Sequence, residues 1–449
     1  MLWKITKKFN FAADRIIPDS LVFCLILTFL AFVGCMIATG TGFMTMLQYY
    51  YDGFFGSLFL FGFQMGLIIL FAGTAAKAPA FEKLTTKLAS IPKTPTGALL
   101  FMMIFSAVTA WINWAFGLIL TPILSVYLCK NMKGKLHFPI MVAVGYAVMI
   151  MTQPLSLSTP VVAQLATPGH AFESITGILG YAETAFHPVN LIIYAALFVA
   201  TALVVVFTRP PENEIVGLDN IAFATLSEKK VEKEEIEKTP ANKMNYSRII
   251  GYGLAALCTV YVIYYFINNG INMATNFIIF LFFTICAWLY PSPMELSKAI
   301  AGNIGSIPQT IVQFPMYGAI MGMMSSSGAS AMLAEAIASI ANAQTMPVFT
   351  YISASALNLF VPSQGGQWAI QGGIIESAAA AVGSGYGVNA VAFMFGDEGT
   401  NLLQPFYVIP ALSVLGMKLK DIYGYMMFLW IIWFVITCLG FYFLPGFFI

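Results

Sequence analysis

Long apolar segments recur from Leu21 to the end of the chain, and several reach the roughly 20 residues that an α-helix needs to cross a bilayer. Apolar residues make up 59% of the 449 residues and charged residues only 9%, whereas about a quarter of a typical soluble domain is charged. Lipid offers no water to bond with backbone polar groups, so each apolar segment is expected to be helical. The sequence therefore predicts an all-α membrane protein embedded in a lipid bilayer.

Charge and cysteine content exclude several other classes. The formal net charge of +1 gives no indication of a nucleic-acid partner. The six cysteines lie in or at the ends of apolar segments without CxxC spacing, which is typical of unpaired apolar residues. We therefore expect no cofactor other than a possible coupling proton or sodium ion.

Two kinds of apolar segment are distinguished by their length and their interruptions. Nine membrane crossings are predicted, at about 20–39, 54–76, 139–166, 187–207, 249–268, 273–290, 304–327, 389–416 and 423–447. The segments 96–129 and 346–383 are each interrupted, at 111–117 and at 362–367. Their arms, about 16 residues in the first case, are short for a crossing, so both segments are expected to be re-entrant hairpins.

The distribution of basic residues orients the chain. Starting with the N-terminus inside, all 21 Lys and Arg residues fall in segments predicted to be cytoplasmic, as the positive-inside rule requires. Residues 1–19 alternate basic and aromatic residues, which indicates an interfacial helix. The charged stretch within 208–248 is expected to be a cytoplasmic linker. The expected location is a bacterial inner membrane, with the C-terminus outside.

The two halves of the chain match each other at an offset of about 250 residues. The matching signals are Gly53-x-x-Gly56-Ser57 with Gly302-x-x-Gly305-Ser306, Pro95 with Pro347, Trp114-Ala115 with Trp368-Ala369, Gln153-Pro154 with Gln404-Pro405, and Pro160 with Pro410. The crossing at 249–268 connects the halves and makes the second enter from the opposite side. The prediction is two inverted repeats, 1–207 with the hairpin 96–129 and 269–449 with the hairpin 346–383, a construction common in secondary transporters.

Polar residues cluster where the proline-containing spans and the hairpins are interrupted. Unwound backbone and half-helix ends there can hold an anion without arginine, assisted by amides, hydroxyls and close glycine backbone. The candidate substrate-binding residues are Asn113, Trp114, Ser158, Thr159, Ser363, Gly365, Gly366, Gln367, Trp368, Asn401 and Gln404. Two alternatives stay open: the tryptophans are packing or interfacial rings, or the glycines form only a structural turn.

Acidic residues are candidates for coupling the anion to a cation. Asp397 and Glu398 immediately precede Asn401, and a carboxyl near such a site can carry a proton or share a sodium ion. The alternative is an exposed loop pair at the outer mouth. Gln153 and Asn401 are possible sodium ligands through their oxygens. Glu376 is expected to be structural or interfacial.

Several of these polar residues lie in segments that resemble a known protein family. The chain resembles the bacterial short-chain fatty acid transporter family nearly end to end, in the segments 18–23, 52–54, 112–117, 312–315, 361–372 and 404–406. The resemblance implies uptake of short-chain fatty acid anions such as butyrate or acetoacetate. It also implies an elevator mechanism, in which a mobile domain carries both hairpins along a scaffold, and a possible homodimer. In the family pattern the position of Gln367 is often histidine and that of Gln364 glycine, so a titrating histidine at the tip is absent here.

Three functional hypotheses follow. The leading one is a cation-coupled symporter of small monocarboxylates. The second is a passive channel or facilitator for the same acids. The third, a membrane-embedded enzyme, is disfavoured because the predicted spans contain no cluster of His, Asp, Glu and Cys.

Overall fold

The structure of the protein is a computed structural model. It describes residues 20–112, 114–157, 159–166, 172–218, 237, 239–269, 275–329, 332, 336, 339–359, 364–404, 407–408, 412 and 415–448. The predicted interfacial helix at 1–19 and most of the charged linker lie outside these residues. The described residues form helices and no strand, as the sequence predicts.

The first half of the chain is a series of helices with two interruptions. They are α1 (Ser20–Thr39), α2 (Phe43–Phe54), α3 (Ser57–Ala76), α4 (Pro79–Ala89), α5 (Pro95–Ile112), α6 (Trp114–Asn131), α7 (Phe138–Thr152), α8 (Pro160–Leu165), α9 (Glu173–Thr176) and α10 (Pro188–Phe207). The short helices α2 and α4 lie in stretches to which the sequence analysis assigned no element. Both are too short to cross a bilayer, so the search for crossings passes over them.

The second half repeats much of this order after the connecting helix. Its helices are α11 (Pro240–Asn245), α12 (Arg248–Asn269), α13 (Thr275–Leu289), α14 (Pro293–Ala301), α15 (Pro308–Ser326), α16 (Met346–Asn358), α17 (Gln364–Val382), α18 (Tyr386–Thr400) and α19 (Tyr423–Phe443). A helix pair with a short interruption thus occurs once in each half, as α5–α6 and as α16–α17. Each pair is followed by a helix that ends at a break, α7 or α18.

Length and composition identify the helices that could span a membrane. Within the described residues, five are long and apolar enough: Pro95–Ile112, Phe138–Val162, Pro188–Phe207, Pro240–Asn269 and Tyr423–Phe447. Three shorter apolar helices are Cys24–Thr39, Gly62–Ala75 and Asn276–Leu289. The arm α5 has 18 residues, so it is longer than the sequence analysis expected and meets the length of a crossing.

Contacts between helices divide the fold into two packing groups. In the scaffold group, α15 packs against α1, α2 and α3, while α13 packs against α3 and α12. In the hairpin group, the pairs α5–α6 and α16–α17 pack with α7, α10, α18 and α19 around one large apolar core. The groups touch along α3 and α6, and Trp114, Tyr127 and Tyr407 pack against both cores.

The scaffold group depends on a close crossing of α2 and α15. A Cβ atom on Gly53 would lie 2.5 Å from the Gly318 carbonyl oxygen and 2.8 Å from the Gly322 Cα atom. Backbone atoms cannot yield as a side-chain end can, so a larger residue forces the two helices apart. Overpacking of this kind typically costs about 1–3 kcal/mol.

We therefore expect Gly53→Ala to lower the thermal unfolding temperature of the purified protein. Gly34→Ala in α1 is the matched control, because nothing lies within 4 Å of the added Cβ atom. Thermal unfolding of both variants in detergent, followed by size-exclusion chromatography, measures the difference. Equal unfolding temperatures for the two variants would contradict the close crossing.

Candidate functional site

The first proline break is held against the end of the first hairpin arm. Helix α7 ends at Thr152, a 3₁₀ turn covers Gln153–Leu155, and α8 starts at Pro160. Proline has no N–H to continue the helical hydrogen bonds, so the chain unwinds at this place. The freed groups bond to α5: the Leu157 N–H donates to the Trp111 carbonyl at 2.9 Å, and the Ser156 hydroxyl donates to the Ala110 carbonyl at 2.8 Å.

The second hairpin reaches the same place from the other half of the chain. A Cβ atom on Gly365 would lie 3.4 Å from the Pro160 Cβ atom, so the start of α17 touches the start of α8. Gln364, the first residue of α17, donates from Nε2 to Glu398 Oε1 at 3.0 Å. The 3₁₀ turn of the first break also packs against α18. Both hairpins and both breaks therefore contact one another in a single region.

An acidic pair lies in the last turn of α18, at the second break. The side chains of Asp397 and Glu398 are 0% and 6% exposed, which rules out the exposed loop pair as their description. Glu398 accepts hydrogen bonds from Gln364 and, at 2.9 Å, from Asn401 Nδ2. Neither carboxyl oxygen of Asp397 has a hydrogen-bond partner among the described residues. An unpartnered buried carboxylate is costly, so Asp397 is the group here that most needs a cation.

A cluster of amides joins this pair to the second hairpin. Asn358, the last residue of α16, donates from Nδ2 to the Asp397 carbonyl at 2.5 Å and to Asn401 Oδ1 at 2.8 Å. Gln404 Nε2 also donates to Asn401 Oδ1, at 2.6 Å. From the first half of the chain, the Tyr146 hydroxyl donates to the Asn401 carbonyl at 3.0 Å. Asn401 is thus the residue at which the second break, the second hairpin and α7 meet.

The site has no basic side chain to balance its acids. Among the described residues, no lysine or arginine is buried. The donors available at the breaks are therefore amides, hydroxyls and backbone N–H groups. This matches the sequence analysis, which found every basic residue in a predicted cytoplasmic segment.

The structure places the predicted site residues in different surroundings. Asn113, Ser158 and Ser363 lie outside the described residues. Gly365 and Gly366 lie in the first turn of α17, and Trp114 opens α6 with its ring centroid 6.4 Å from that of Tyr407.

The Thr159 hydroxyl donates to the Gln153 carbonyl, and the Gln153 amide contacts the Met149 sulfur at 3.5 Å. Among the described residues, no three His, Cys, Asp or Glu side chains group as metal ligands.

Gln367 and Trp368 lie inside the hairpin group. Trp368 is fully buried between the rings of Phe393 and Phe172, with centroids 4.8 and 5.8 Å away. Gln367 Nε2 donates to the Ala354 carbonyl at 2.9 Å and joins the two arms of the second hairpin. The geometry gives both residues a packing role, and their part in substrate binding stays a prediction.

Four polar residues were missed or misjudged from sequence. Asn358, Gln364 and Tyr146 belong to the cluster around the acidic pair. Glu376 was expected to be structural or interfacial, and its full burial in α17 excludes the interfacial alternative. A polar residue in an apolar helix is itself a functional signal, and that signal was available for Asn358 and Glu376. The contacts of Tyr146 depend on how distant helices pack.

The central position of Asn358 leads to a prediction about stability. Asn358→Ala removes the hydrogen bonds to the Asp397 carbonyl and to Asn401, and each buried hydrogen bond contributes about 0.5–1.5 kcal/mol net. We expect a clearly lower thermal unfolding temperature and loss of transport. Asn268→Ala is the control, since among the described residues this exposed amide donates to the Tyr264 carbonyl of its own helix alone. Equal unfolding temperatures for the two variants would contradict the central position of Asn358.

The known proteins whose sequences are similar to this chain are transporters. The family model described as "Short chain fatty acid transporter" matches residues 1–444. A relative from Escherichia coli (strain K12), named as a candidate short-chain fatty acid transporter, is 31% identical over 95% of this chain and 96% of its own length. A relative with the same name from Haemophilus influenzae is 30% identical over 99% and 100% of the two chains.

Two solved structures are similar at low sequence identity. The Alcanivorax borkumensis YdaH transporter is 12% identical, with a TM-score of 0.45 over 96% of this chain and 98% of its own. The Neisseria gonorrhoeae MtrF protein is 14% identical, with a TM-score of 0.40 over 94% and 95%. The matched family and the relatives named above are transporters and not enzymes. With a family model covering nearly all of its length, the chain belongs to the short-chain fatty acid transporter family.

Proposed function

We propose that this protein is a secondary active transporter that moves short-chain fatty acid anions, such as butyrate or acetoacetate, together with a cation. The observation that carries the proposal is the buried acidic pair Asp397–Glu398, which lies among amides where both hairpins and both breaks meet. The names of the family and of the two relatives supply the substrate class.

The anion is proposed to bind without lysine or arginine. Gln364 begins α17, so Gly365 and Gly366 belong to its first turn, where backbone N–H groups lack intrahelical partners. Glycine lets an anion approach these groups closely. Asn401 is linked to this turn through Glu398 and Gln364, and it is proposed as a further side-chain donor together with Gln404. The ring of Trp114 is proposed to contact the short acyl chain.

Coupling is proposed to depend on the acidic pair. Moving one net charge through a potential of 100 mV changes the free energy by about 2.3 kcal/mol, so an uncompensated anion would be driven out of an inside-negative cell. A proton on Asp397, or a sodium ion shared by Asp397 and freed carbonyls, cancels that charge. Gln153 and Asn401 are the further oxygen donors proposed for sodium.

The proposed motion is that of an elevator in a bacterial inner membrane. The hairpin group would carry the substrate past the scaffold group, and the thin contact along α3 and α6 is the surface on which it would slide. The proposed topology has two inverted repeats, about nine crossings and two re-entrant hairpins, with the N-terminus inside and the C-terminus outside. Any homodimer contact would lie on the scaffold group.

Uptake of labelled butyrate into proteoliposomes tests the proposal. The sodium gradient and the proton gradient are imposed separately, and protein-free vesicles correct for passive entry of the neutral acid. Accumulation above the outside concentration with one of the two gradients is the expected result. Equilibration without accumulation under every gradient would instead identify a passive facilitator.

A further inference from the structure

Glu376 is a second buried acid that the proposed site does not use. It lies on α17, 12 residues after Gln364, which corresponds to about 18 Å along the helix. Its side chain is 0% exposed, and neither carboxyl oxygen has a hydrogen-bond partner among the described residues. The buried glutamines of this arm each make a hydrogen bond: Gln367 Nε2 donates to Gln371 Oε1 at 3.0 Å, and Gln371 Nε2 donates to Ser353 Oγ at 2.8 Å.

Among the described residues, the helices packed around Glu376 supply no counter-charge. Helix α17 packs against α8, α9, α16 and α18, and none of these five helices contains Lys, Arg or His. Their titratable groups are Glu173, Tyr351, Tyr386, Asp397 and Glu398, and none of them forms a hydrogen bond with the Glu376 carboxyl. The neighbours one turn away on α17 are Gly372, Gly373, Ala379 and Ala380, which have no polar side chain.

A purely structural role does not account for this carboxyl. Methionine or leucine would fill a similar volume without taking a charged group out of water. Among the described residues, Glu376 belongs to no group of three His, Cys, Asp or Glu side chains that could hold a metal ion. A proton is the one cation that a single carboxyl binds by itself, as an O–H bond that changes its charge from −1 to zero.

The Phe172 ring covers α17 one turn before Glu376: Cβ atoms on Gly372 and Gly373 would be 2.8 and 3.1 Å from it. Ser377, next to Glu376, is exposed. Movement of Phe172 and α9 away from α17 would open the helix one turn from the carboxyl, and this is the route by which water is proposed to reach it.

We propose that Glu376 is a proton-binding site in the mobile hairpin, separate from Asp397–Glu398, which loads when Phe172 moves aside and carries its proton with the substrate. Only one part of this inference rests on the proposed function, namely that the proton moves together with the substrate. Proton binding itself is a property of the folded protein and can be measured without transport.

Infrared spectroscopy of the purified full-length protein tests the binding. The parent should show the C=O stretch of a protonated carboxylic acid, and Glu376→Gln should lose one such band. Glu376→Asp keeps a carboxylic acid at this position and should shift the band without removing it. A shifted band assigns the band to residue 376 even if the amide variant misfolds. Glu173→Gln, a carboxyl replacement in neighbouring α9, should leave the band in place. A spectrum of Glu376→Gln with every band of the parent would overturn the proposal.

Two further measurements test the cover and the coupling. Phe172→Ala should speed the hydrogen–deuterium exchange of the Glu376 carboxyl in D₂O, seen as a shift of its infrared band. An unchanged exchange rate would overturn the role of Phe172 as a cover.

The reversal potential of butyrate flux in proteoliposomes gives the number of protons moved per substrate. Glu376→Gln should lower this number by one, while substrate exchange at zero gradient continues. An unchanged proton number would overturn the coupling role. A parent that does not accumulate butyrate at all would instead reject the proposed function.

Discussion

Replacing Asp397 with asparagine is expected to abolish concentrative uptake while substrate exchange at zero gradient continues. The Asp397 carboxyl is fully buried and has no hydrogen-bond partner among the described residues, so its charge needs a bound cation. Asparagine has nearly the same shape but cannot bind a proton as an acid or neutralise sodium. The substrate would then move with one cation fewer than in the parent, and at 100 mV the loss of that charge lowers its accumulation by about 2.3 kcal/mol, roughly 50-fold.

Two variants serve as comparisons for this experiment. Glu183→Gln removes an exposed carboxyl and should accumulate labelled butyrate as the parent does. Glu398→Gln tests coupling less specifically, because both Glu398 oxygens accept hydrogen bonds, from Gln364 and from Asn401. The glutamine amide would place an NH₂ group against one of these two donors, and that hydrogen bond would be lost. We expect it to lose part of the exchange as well. Normal accumulation by both Asp397→Asn and Glu398→Gln would place the coupling site elsewhere.

Replacing Gly365 with valine is expected to abolish both uptake and exchange. A Cβ atom at this position would lie 3.4 Å from Pro160 and 3.8 Å from the Gln164 amide, which is ordinary contact. The two further carbons of valine would extend from that point into the junction of α17 and α8, or into the approach of the anion to the first turn of α17. Gly366→Val is expected to act in the same direction.

Gly365→Ala is the matched control for size. The first carbon fits without overlap, so the alanine variant should retain most of the uptake and should fold as the parent does. Exchange of labelled butyrate across proteoliposomes, normalised to the amount of folded protein, compares the two. Uptake by the valine variant at the level of the alanine variant would show that the start of α17 is not close to the substrate.

The helical fold was predictable because membrane insertion leaves few choices. Apolar runs of about 20 residues without charge can satisfy their backbone in lipid only as helices, and α1, α10 and α12 begin and end within one residue of their predicted bounds. The breaks in α7 and after α18 were predictable for a different reason. Proline removes a backbone donor, and Pro154 and Pro160 follow the end of α7 as expected, whereas Pro122 and Pro315 lie within α6 and α15.

Helices that do not span were harder to predict. The short helices α2, α4 and α14 lie where the sequence shows mixed apolar and polar residues and no run long enough to cross. Hydropathy finds crossings by length, so such elements give it no signal. Only the packing of α2 against α15, through Gly53 and Gly322, gives that helix a definite place.

The sequence by itself determined the class, the breaks and the residue types at the site, because hydropathy, proline and the distribution of basic residues are local properties of the chain. Tertiary structure decided which of these residues meet. The contacts of Asn401 with Asn358 and Tyr146 join residues 43 and 255 positions apart, and no local pattern encodes such pairing. Burial was decided in the same way. The sequence left open whether Asp397 couples transport or belongs to an exposed loop pair, and whether Glu376 is structural or interfacial; packing of α16, α17 and α18 placed both carboxyls where no donor among the described residues reaches them.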